Sequence, residues 1–279
     1  GRISGLAWGA GYAGGLVCLG LCLLLLIEPH PPLFGLSADR AEPVRATALF
    51  AAGWIALFAW PIMVVAPSSP ERLPWRVALR NGLAALWQTV GRAWRDLTMR
   101  QFLIARMLYT DGLNTLFAFG AIFAAGSFGM DVRETLLLGI ALNITAGLGA
   151  LCFAFVEDRI GPKPTIMISL VALTVLGILV LFAHSATLFW VLALGLGVFV
   201  GPAQAASRSL MAQLSPPNSR NAYFGLYALS GRVTGFLGPT ALGLVTAATA
   251  SQRAGMAVVV LLVVAGGLLL APLDLRPTI

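Results

Sequence analysis

Residues 164–183 read PTIMISLVALTVLGILVLFA, twenty consecutive residues without a charged side chain. As a helix this run is about 30 Å long, which matches the hydrocarbon core of a bilayer. Backbone polar groups in lipid must be satisfied within the segment, so the run predicts a transmembrane helix rather than a strand. Seven more segments have the same character, and the eight predicted spans cover residues 3–27, 44–66, 101–126, 134–156, 164–183, 186–211, 221–248 and 253–272.

The composition agrees with a polytopic membrane protein. The 279 residues are 58% hydrophobic and 10% charged, with a mean hydropathy of +0.88, whereas soluble proteins carry about 25% charged residues. This excludes an ordinary soluble enzyme, a disordered chain and a secreted disulfide scaffold. The cysteines lie inside apolar runs, so we expect buried thiols without a disulfide or metal. The sequence predicts an all-α fold whose surroundings are the lipid bilayer, with no nucleic-acid partner and no cofactor.

The longest connection between spans, residues 67–100, reads PSSPERLPWRVALRNGLAALWQTVGRAWRDLTMR and holds six arginines against two acidic residues. It is either a solvated linker or an amphipathic helix at the membrane surface, with tryptophans towards the acyl chains, and we favour the second interpretation. If this basic connection is cytoplasmic, twelve basic residues fall on its side of the membrane and four on the other. The chain is then a multi-pass protein of the inner or plasma membrane with both ends in the cytoplasm.

The position of the linker predicts the domain organisation. Two spans precede it and six follow, and many transporters consist of two six-helix halves joined by a long cytoplasmic loop. We therefore expect residues 1–66 to be the last two helices of an N-terminal bundle and residues 101–279 to be a complete C-terminal bundle. On this interpretation four more helices precede Gly1 and are partners of the chain.

The third span contains an acidic residue at mid-membrane depth. Asp111 lies about 16 Å from Arg100 along a helix, and its i+3 and i+4 neighbours Asn114 and Thr115 share its face. Ionisable residues inside a membrane are costly and usually functional. We interpret the face as lining a water-filled cavity in which Asp111 is a proton or cation site. A structural role stays open, either in a buried ion pair or as a cap at a helix break near Gly112.

Two further spans carry polar side chains that could face the same cavity. In the sixth span, Gln204, Ser207 and Arg208 follow Gly201-Pro202 at i, i+3 and i+4. This stripe is either a cavity wall or gate, or Arg208 snorkels to the surface while the small residues of the stretch serve helix packing. In the seventh span, four polar residues fall within about 60° of one another on a helical wheel. We interpret them as a substrate-facing stripe, which consists of Tyr223, Tyr227, Ser230 and Thr234.

Two arginines within the spans need partners. Arg232 lies opposite the polar stripe near mid-depth, where we expect it to be buried and paired with Asp111, although Arg232 facing the cavity stays open. Arg106 is a second candidate for buried pairing, and because it lies nearer the cytoplasmic surface it could instead snorkel to that surface.

Residues 154–166, AFVEDRIGPKPTI, resemble the loop signature G-x-x-x-D-R-x-G-R-[RK] of the major facilitator superfamily. The matching positions are Asp158, Arg159, Gly161 and Lys163. The motif lies between the second and third helices after the linker, as it does in one half of that family. The resemblance implies a cytoplasmic gate in which the carboxylate pairs with arginines and with a helix N-terminus. Ala154 stands at the first glycine of the motif and Pro162 at its first basic residue, and Ala154 predicts looser helix packing.

Four longer stretches of the sequence point to one branch of this superfamily. ISGLAWGAGYAGG (3–15), RMLYTDGLNTLFAFGAIFAAGSFGM (106–130), GPAQAASRSLMAQLSP (201–216) and YFGLYALSGRVTGFLGP (223–239) resemble the vacuole-effluxer-like branch of this superfamily, which includes autophagy-related vacuolar amino-acid exporters. The resemblance covers nearly the whole chain and implies efflux of a small solute, with amino acids as candidates.

Three function classes remain for such a chain. We favour a secondary transporter that works by alternating access, with proton coupling through Asp111 as a candidate mechanism. The sequence has no nucleotide-binding loop, and its spans contain no cluster of nucleophile, base and metal ligands that an intramembrane enzyme would need. The alternative is a channel or a structural membrane subunit, although filter-like repeats and charge rings are missing from the sequence.

Overall fold

The computed structural model describes residues 2–29, 33–37, 41–65 and 74–274, without the side chains of residues 132 and 133. Every regular element within these ranges is a helix. The ten α-helices are α1 (Arg2–Cys22, extended by a π-helical turn, Leu23–Ile27), α2 (Glu42–Val65), α3 (Trp75–Arg95), α4 (Leu97–Phe128), α5 (Val132–Ile160), α6 (Pro162–Phe182), α7 (Ala186–Leu214), α8 (Arg220–Val233), α9 (Leu237–Thr249) and α10 (Gln252–Leu270).

Within the described ranges, six helical segments are long and apolar enough to cross a membrane, and they coincide with six of the eight predicted spans. They are Arg2–Ile27, Glu42–Val65, Glu134–Ile160, Pro162–Phe182, Ala186–Leu214 and Gln252–Leu270. The predicted third span corresponds to α4, which is 32 residues long and carries Arg106 and Asp111. The predicted seventh span corresponds to α8 and α9 together. The all-helical membrane class is confirmed, whereas the count of eight crossings stays a prediction.

The described chain divides into two compact units. One runs from Gly11 to Ala78 and contains most of α1, all of α2 and the start of α3. Three aromatic rings of α2 lie in a row along the helix, with Trp54 stacked on Phe50 and tilted against Phe58. Nearly all large apolar side chains of α2 are exposed, as expected for a helix whose surroundings are lipid or another helix.

The second unit contains the first turns of α1, the rest of α3, and α4 to α10. Within it, α4 packs along α10, and α7 packs against both α5 and α6. The α5–α7 contact brings the two backbones together, because a Cβ on Gly149 would lie only 1.9 Å from the carbonyl oxygen of Val198. Such backbone contact between helices is possible where the residue is a glycine.

Local signals in the sequence explain where several helices begin. Asp96 accepts a hydrogen bond from the backbone N–H of Met99 at the start of α4, and Asp131 and Glu134 form a capping box at the start of α5. Ser185 and Ser251 cap α7 and α10 in the same way. These caps mark where the helices begin and where the connections before them end.

The seventh predicted span is interrupted. Residues 221–248 were predicted as one continuous segment, but α8 ends at Val233 and α9 begins at Leu237. Pro239 is the third residue of α9 and has no N–H to donate to the carbonyl of Gly235. Proline is accepted in the first turn of a helix but breaks a helix interior. The break therefore follows from Pro239 and creates a new helix N-terminus inside the unit.

The predicted linker contains α3. Its Trp87 is 73% exposed, whereas Thr89 and Ala93 on another side are buried. Residues 67–73 of the linker and the ends of the chain lie outside the described residues. The structure has a helix at Trp75–Arg95, and its position at a membrane surface stays a prediction.

Candidate functional site

Asp111 of α4 caps the helix that begins after the break. Its side chain is buried, with 2% of the residue exposed, and Oδ2 accepts a hydrogen bond of 2.7 Å from the backbone N–H of Gly238. Gly238 is the second residue of α9, where backbone N–H groups lack intrahelical acceptors. A carboxylate at this position is also favoured by the helix dipole. The structure thus joins a buried acid to a helix break in a neighbouring element.

Gly238 permits this contact because it has no side chain. A Cβ there would lie 2.1 Å from Oγ1 of Thr115, whose hydroxyl donates to the carbonyl of Asp111 at 2.8 Å. Asp111 and Thr115 therefore face α9, as neighbours on one face should. Asn114, which we predicted on the same face, is exposed.

The second carboxylate oxygen, Oδ1 of Asp111, is buried and has no hydrogen-bond partner among the described residues. The hydroxyl of Thr234, at the break, is likewise buried without a described partner. The predicted ion pair between Asp111 and Arg232 is absent from the described part of the chain, and Arg232 is exposed rather than buried. The physical reason is helix rotation: α8 turns its polar stripe inwards, so Arg232 on the opposite side points out of the unit.

Arg106 is buried, and its partners are neutral. Its side chain is 8% exposed, and Nη1 donates to the carbonyl oxygen of Tyr227 at 2.9 Å and to Oγ of Ser230 at 2.8 Å. The guanidinium carbon lies 3.5 Å from the centroid of the Tyr227 ring. Arg106 therefore reaches across from α4 to α8 instead of extending to a membrane surface, and no described carboxylate lies within salt-bridge distance.

The polar stripe of α8 lies partly inside the unit. Tyr223 and Ser230 are buried, while Tyr227 and Thr234 are half-buried. Gln204 on α7 is also half-buried. The structure brings Tyr227 and Ser230 to Arg106, and no recorded hydrogen bond between described residues links Gln204 to this group.

Sequence reasoning missed the contact between Tyr109 and Ser207 beside this group, and the glycine at the break. The hydroxyls of Tyr109 on α4 and Ser207 on α7 are 2.6 Å apart and buried. The i+3 spacing could have indicated this contact, because it places Tyr109 on the same helix face as Arg106 and Ser207 on the same face as Gln204. The signal for Gly238 was the Gly-Pro pair at 238–239, which is typical of a helix start.

The loop motif lies at the end of α5 and the start of α6. Asp158 accepts the backbone N–H of Arg2 at 3.2 Å, and its Oδ2 lies 2.7 Å from Nε of the same arginine. Lys163 donates to the carbonyls of Ala271 and Leu273, beyond the end of α10. Gly161 has a φ of 87° between the two helices, a conformation that favours glycine. Arg159 is exposed.

The expectation of looser packing at Ala154 is wrong. A Cβ on Gly5 of α1 would lie 2.4 Å from Cβ of Ala154 and 2.8 Å from the carbonyl oxygen of Ala150. Close approach needs a small residue on only one of the two helices. Gly5 provides it here, so the α1–α5 contact remains tight without the first glycine of the motif.

A cavity of about 220 Å³ lies inside the bundle unit. Its walls come from α4, α5, α6, α7 and α10 and are mostly apolar, and its polar lining residues are Thr135 and Asn143. No group of three or more possible metal ligands occurs among the described residues. The polar contacts of Asp111 and Arg106 therefore stand apart from this apolar cavity, which their side chains do not line.

Comparisons with known proteins place the chain in a family. The family model described as "Vacuole effluxer Atg22 like" matches residues 1–278. Autophagy-related protein 22-2 of Emericella nidulans is 27% identical over 98% of this chain and 50% of its own length. An uncharacterised MFS-type transporter, YxiO of Bacillus subtilis, is 22% identical over 96% of the chain and 62% of its own length.

The fold also matches a solved structure. The crystal structure of the E. coli fucose:proton symporter aligns with a TM-score of 0.67 over 92% of this chain and 64% of that chain, at 13% sequence identity. The chain spans between half and two-thirds of the length of these three proteins. Together with the membrane-type helices described above, these matches show that the chain belongs to the vacuole effluxer Atg22-like family and has a major facilitator-type helical fold.

Proposed function

We propose that the full-length protein is a secondary transporter that exports a small solute by alternating access, with proton coupling through Asp111. The observation that carries this proposal is a buried carboxylate, with one oxygen unpartnered among the described residues, at a helix break inside a major facilitator-type bundle. Its relatives include proteins named as effluxers and transporters, which favours this class over a channel or a structural subunit.

The environment of Asp111 suits a proton site. An ionised carboxylate inside a membrane protein is costly unless its charge is neutralised or fully hydrogen-bonded. One oxygen is bonded to Gly238, and the other has no described partner. Binding a proton at this carboxylate removes the charge while the Gly238 contact can persist. A change of protonation there can therefore shift the balance between two helix arrangements by its differential effect on them.

The contact between Asp158 and Arg2 supports a role for the loop motif as a cytoplasmic gate. It joins the first turn of α1 to the end of α5 through two polar contacts. If α1 belongs to the N-terminal half, opening the cytoplasmic side separates these residues. We assign Arg159, Gly161 and Lys163 to the support of this gate, since Gly161 forms the turn and Lys163 ties α6 to the region after α10.

The remaining parts of the proposal concern topology and solute. Residues 1–66 would belong to an N-terminal bundle with further helices before them, and 101–279 would form the C-terminal bundle. The exposed tryptophans of α3 favour a position at the cytoplasmic membrane surface, which leaves both ends of the chain in the cytoplasm. Amino acids are the candidate solutes, and Gln204, Asn114 and the α8 stripe are candidate cavity residues.

Counterflow in proteoliposomes tests the proposal. Vesicles containing the full-length protein are loaded with unlabelled leucine, diluted into trace radiolabelled leucine, and measured with and without a pH gradient. A transporter produces transient, saturable accumulation of label, and a proton-coupled one changes its net flux with the gradient. If none of a panel of labelled amino acids accumulates, the proposed solute class is contradicted. An unsaturable conductance would show a channel instead.

A further inference from the structure

Arg106 carries a positive charge inside the bundle unit that no described residue neutralises. It is more than nine-tenths buried, and the described carboxylates lie beyond salt-bridge distance. Asp111 is five residues further along α4, and its carboxylate is bonded to Gly238 instead. An uncompensated charge inside a membrane protein is unfavourable, and ionisable residues there pair with one another or with backbone carbonyls and mark the pathways of solutes and ions.

Some N–H groups of the Arg106 guanidinium are hydrogen-bonded to described residues, and others are not. Nη1 donates to two described acceptors, the carbonyl of Tyr227 and the hydroxyl of Ser230. Nε is buried with no hydrogen-bond partner among the described residues, and Nη2 donates to none of them. In a planar guanidinium, the Nε–H and one Nη2–H point in the same direction along one edge. That edge is therefore the part of Arg106 left to bind something else.

The surroundings hold this edge in a defined orientation. The Tyr227 ring stacks on the guanidinium with its centroid 3.5 Å from Cζ. Gly231 lets the group lie against α8, because a Cβ there would be 3.0 Å from Nη1 and 3.1 Å from Nη2. Two parallel N–H groups match the two oxygens of a carboxylate, and a donor pair held in place loses little entropy on binding.

We propose that the Nε–Nη2 edge of Arg106 binds the carboxylate of the transported solute, so that the solute class is carboxylate-bearing. Tyr227 and Ser230 are positioning residues that hold the guanidinium. That the bound carboxylate belongs to the transported solute rests on the proposed transport function. If a carboxylate elsewhere in the full-length protein occupies the edge permanently, added acids and their neutral analogues act alike.

Thermal unfolding of the purified full-length protein tests the site without transport. Isovalerate and isovaleramide have the same shape, but only isovalerate has a carboxylate. We expect isovalerate near saturation to raise the unfolding midpoint by about 2 °C and isovaleramide to leave it unchanged. Arg106→Lys should abolish the difference, because lysine lacks the planar donor pair. Arg220→Lys, at an exposed arginine on α8, is the matched control and should keep it.

The outcomes separate this inference from the proposed function. Equal shifts from the acid and the amide, or none from either, overturn the Arg106 assignment, and this comparison uses the wild-type protein even if Arg106→Lys does not fold. Leucine counterflow measured alongside tests transport itself. Counterflow that leucinamide inhibits as strongly as leucine leaves the transporter standing and rejects the site. An acid-specific shift without counterflow supports the site and rejects the leucine transporter.

Discussion

The carboxylate of Asp111 accepts the backbone N–H of Gly238 at 2.7 Å, and this contact joins α4 to the start of α9. The carboxylate in the predicted third span thereby accepts a backbone N–H that the helix break in the predicted seventh span leaves without an intrahelical acceptor. The cap and the proton site that we propose use the same side chain, so its structural and functional roles must be separated by the choice of substitution.

Asp111→Asn is expected to keep the cap and remove proton coupling. The asparagine oxygen can still accept from Gly238, and asparagine is as good a cap as aspartate, but the side chain does not titrate. The unfolding midpoint should stay within about 2 °C of wild type, while the response of leucine counterflow to a pH gradient is lost. Asp131→Asn, at the exposed cap of α5, should change neither property. A variant Asp111→Asn with unaltered pH response would remove Asp111 from the mechanism.

Asp111→Ala, in contrast, removes the cap itself. Loss of a helix cap costs about 1 kcal/mol, or up to about 2 kcal/mol where the donor is left buried. Thermal or denaturant unfolding should therefore distinguish Asp111→Ala from Asp111→Asn. Equal stability of the two variants would show that the Gly238 contact contributes little.

Gly238→Ala is expected to destabilise the protein through its contact with Thr115. The added Cβ would lie 2.1 Å from Oγ1 of Thr115, and overpacking of this kind costs about 1–3 kcal/mol. In the double variant Gly238→Ala/Thr115→Ala the clashing hydroxyl is gone, so part of the loss should be recovered. A double-mutant cycle by thermal unfolding measures this coupling. Gly243→Ala, on the same helix with nothing within 4 Å, serves as the neutral control, and additive effects of Gly238 and Thr115 would contradict the contact.

Gly149→Ala should be among the most damaging small substitutions in the bundle. Its Cβ would lie 1.9 Å from a backbone oxygen, that of Val198, and backbone cannot move aside as a flexible side chain can. We expect a loss of roughly 3 kcal/mol or a failure to accumulate in membranes. Gly139→Ala, on the same α5 helix in open space, should be tolerated. Matched expression and unfolding of the two variants would show whether α5 and α7 approach each other this closely.

The Arg2–Asp158 contact predicts a charge-swap rescue of gating. Arg2→Asp places two negative charges together and should slow counterflow by preventing closure of the cytoplasmic side. The double variant Arg2→Asp/Asp158→Arg restores opposite charges and should recover a large part of the rate. Both residues are partly exposed, so the unfolding midpoint should change little. Similar rates in wild type and Arg2→Asp would argue against a gate at this contact.

Several features of the site could be predicted because they depend on short stretches of sequence. The motif around Asp158 was identified from four positions in one loop, whereas the sequence left open whether Arg106 is buried or extends to the membrane surface. The break before α9 was missed although Pro239 carried its signal, because the apolar run continues on both sides. The exposure of Arg232 could not be predicted, since a helical wheel shows which residues oppose one another but not which side faces the bundle.

The length and apolar character of each run are enough to predict an all-helical membrane protein, because they decide whether a helix can cross lipid. The helix caps are likewise local, since they involve residues three positions apart. The contacts of Asp111 with Gly238, and of Arg106 with Tyr227 and Ser230, are visible only in the folded chain. These contacts join residues more than 100 positions apart. They depend on the rotation and spacing of packed helices, and glycines allow that spacing to be short.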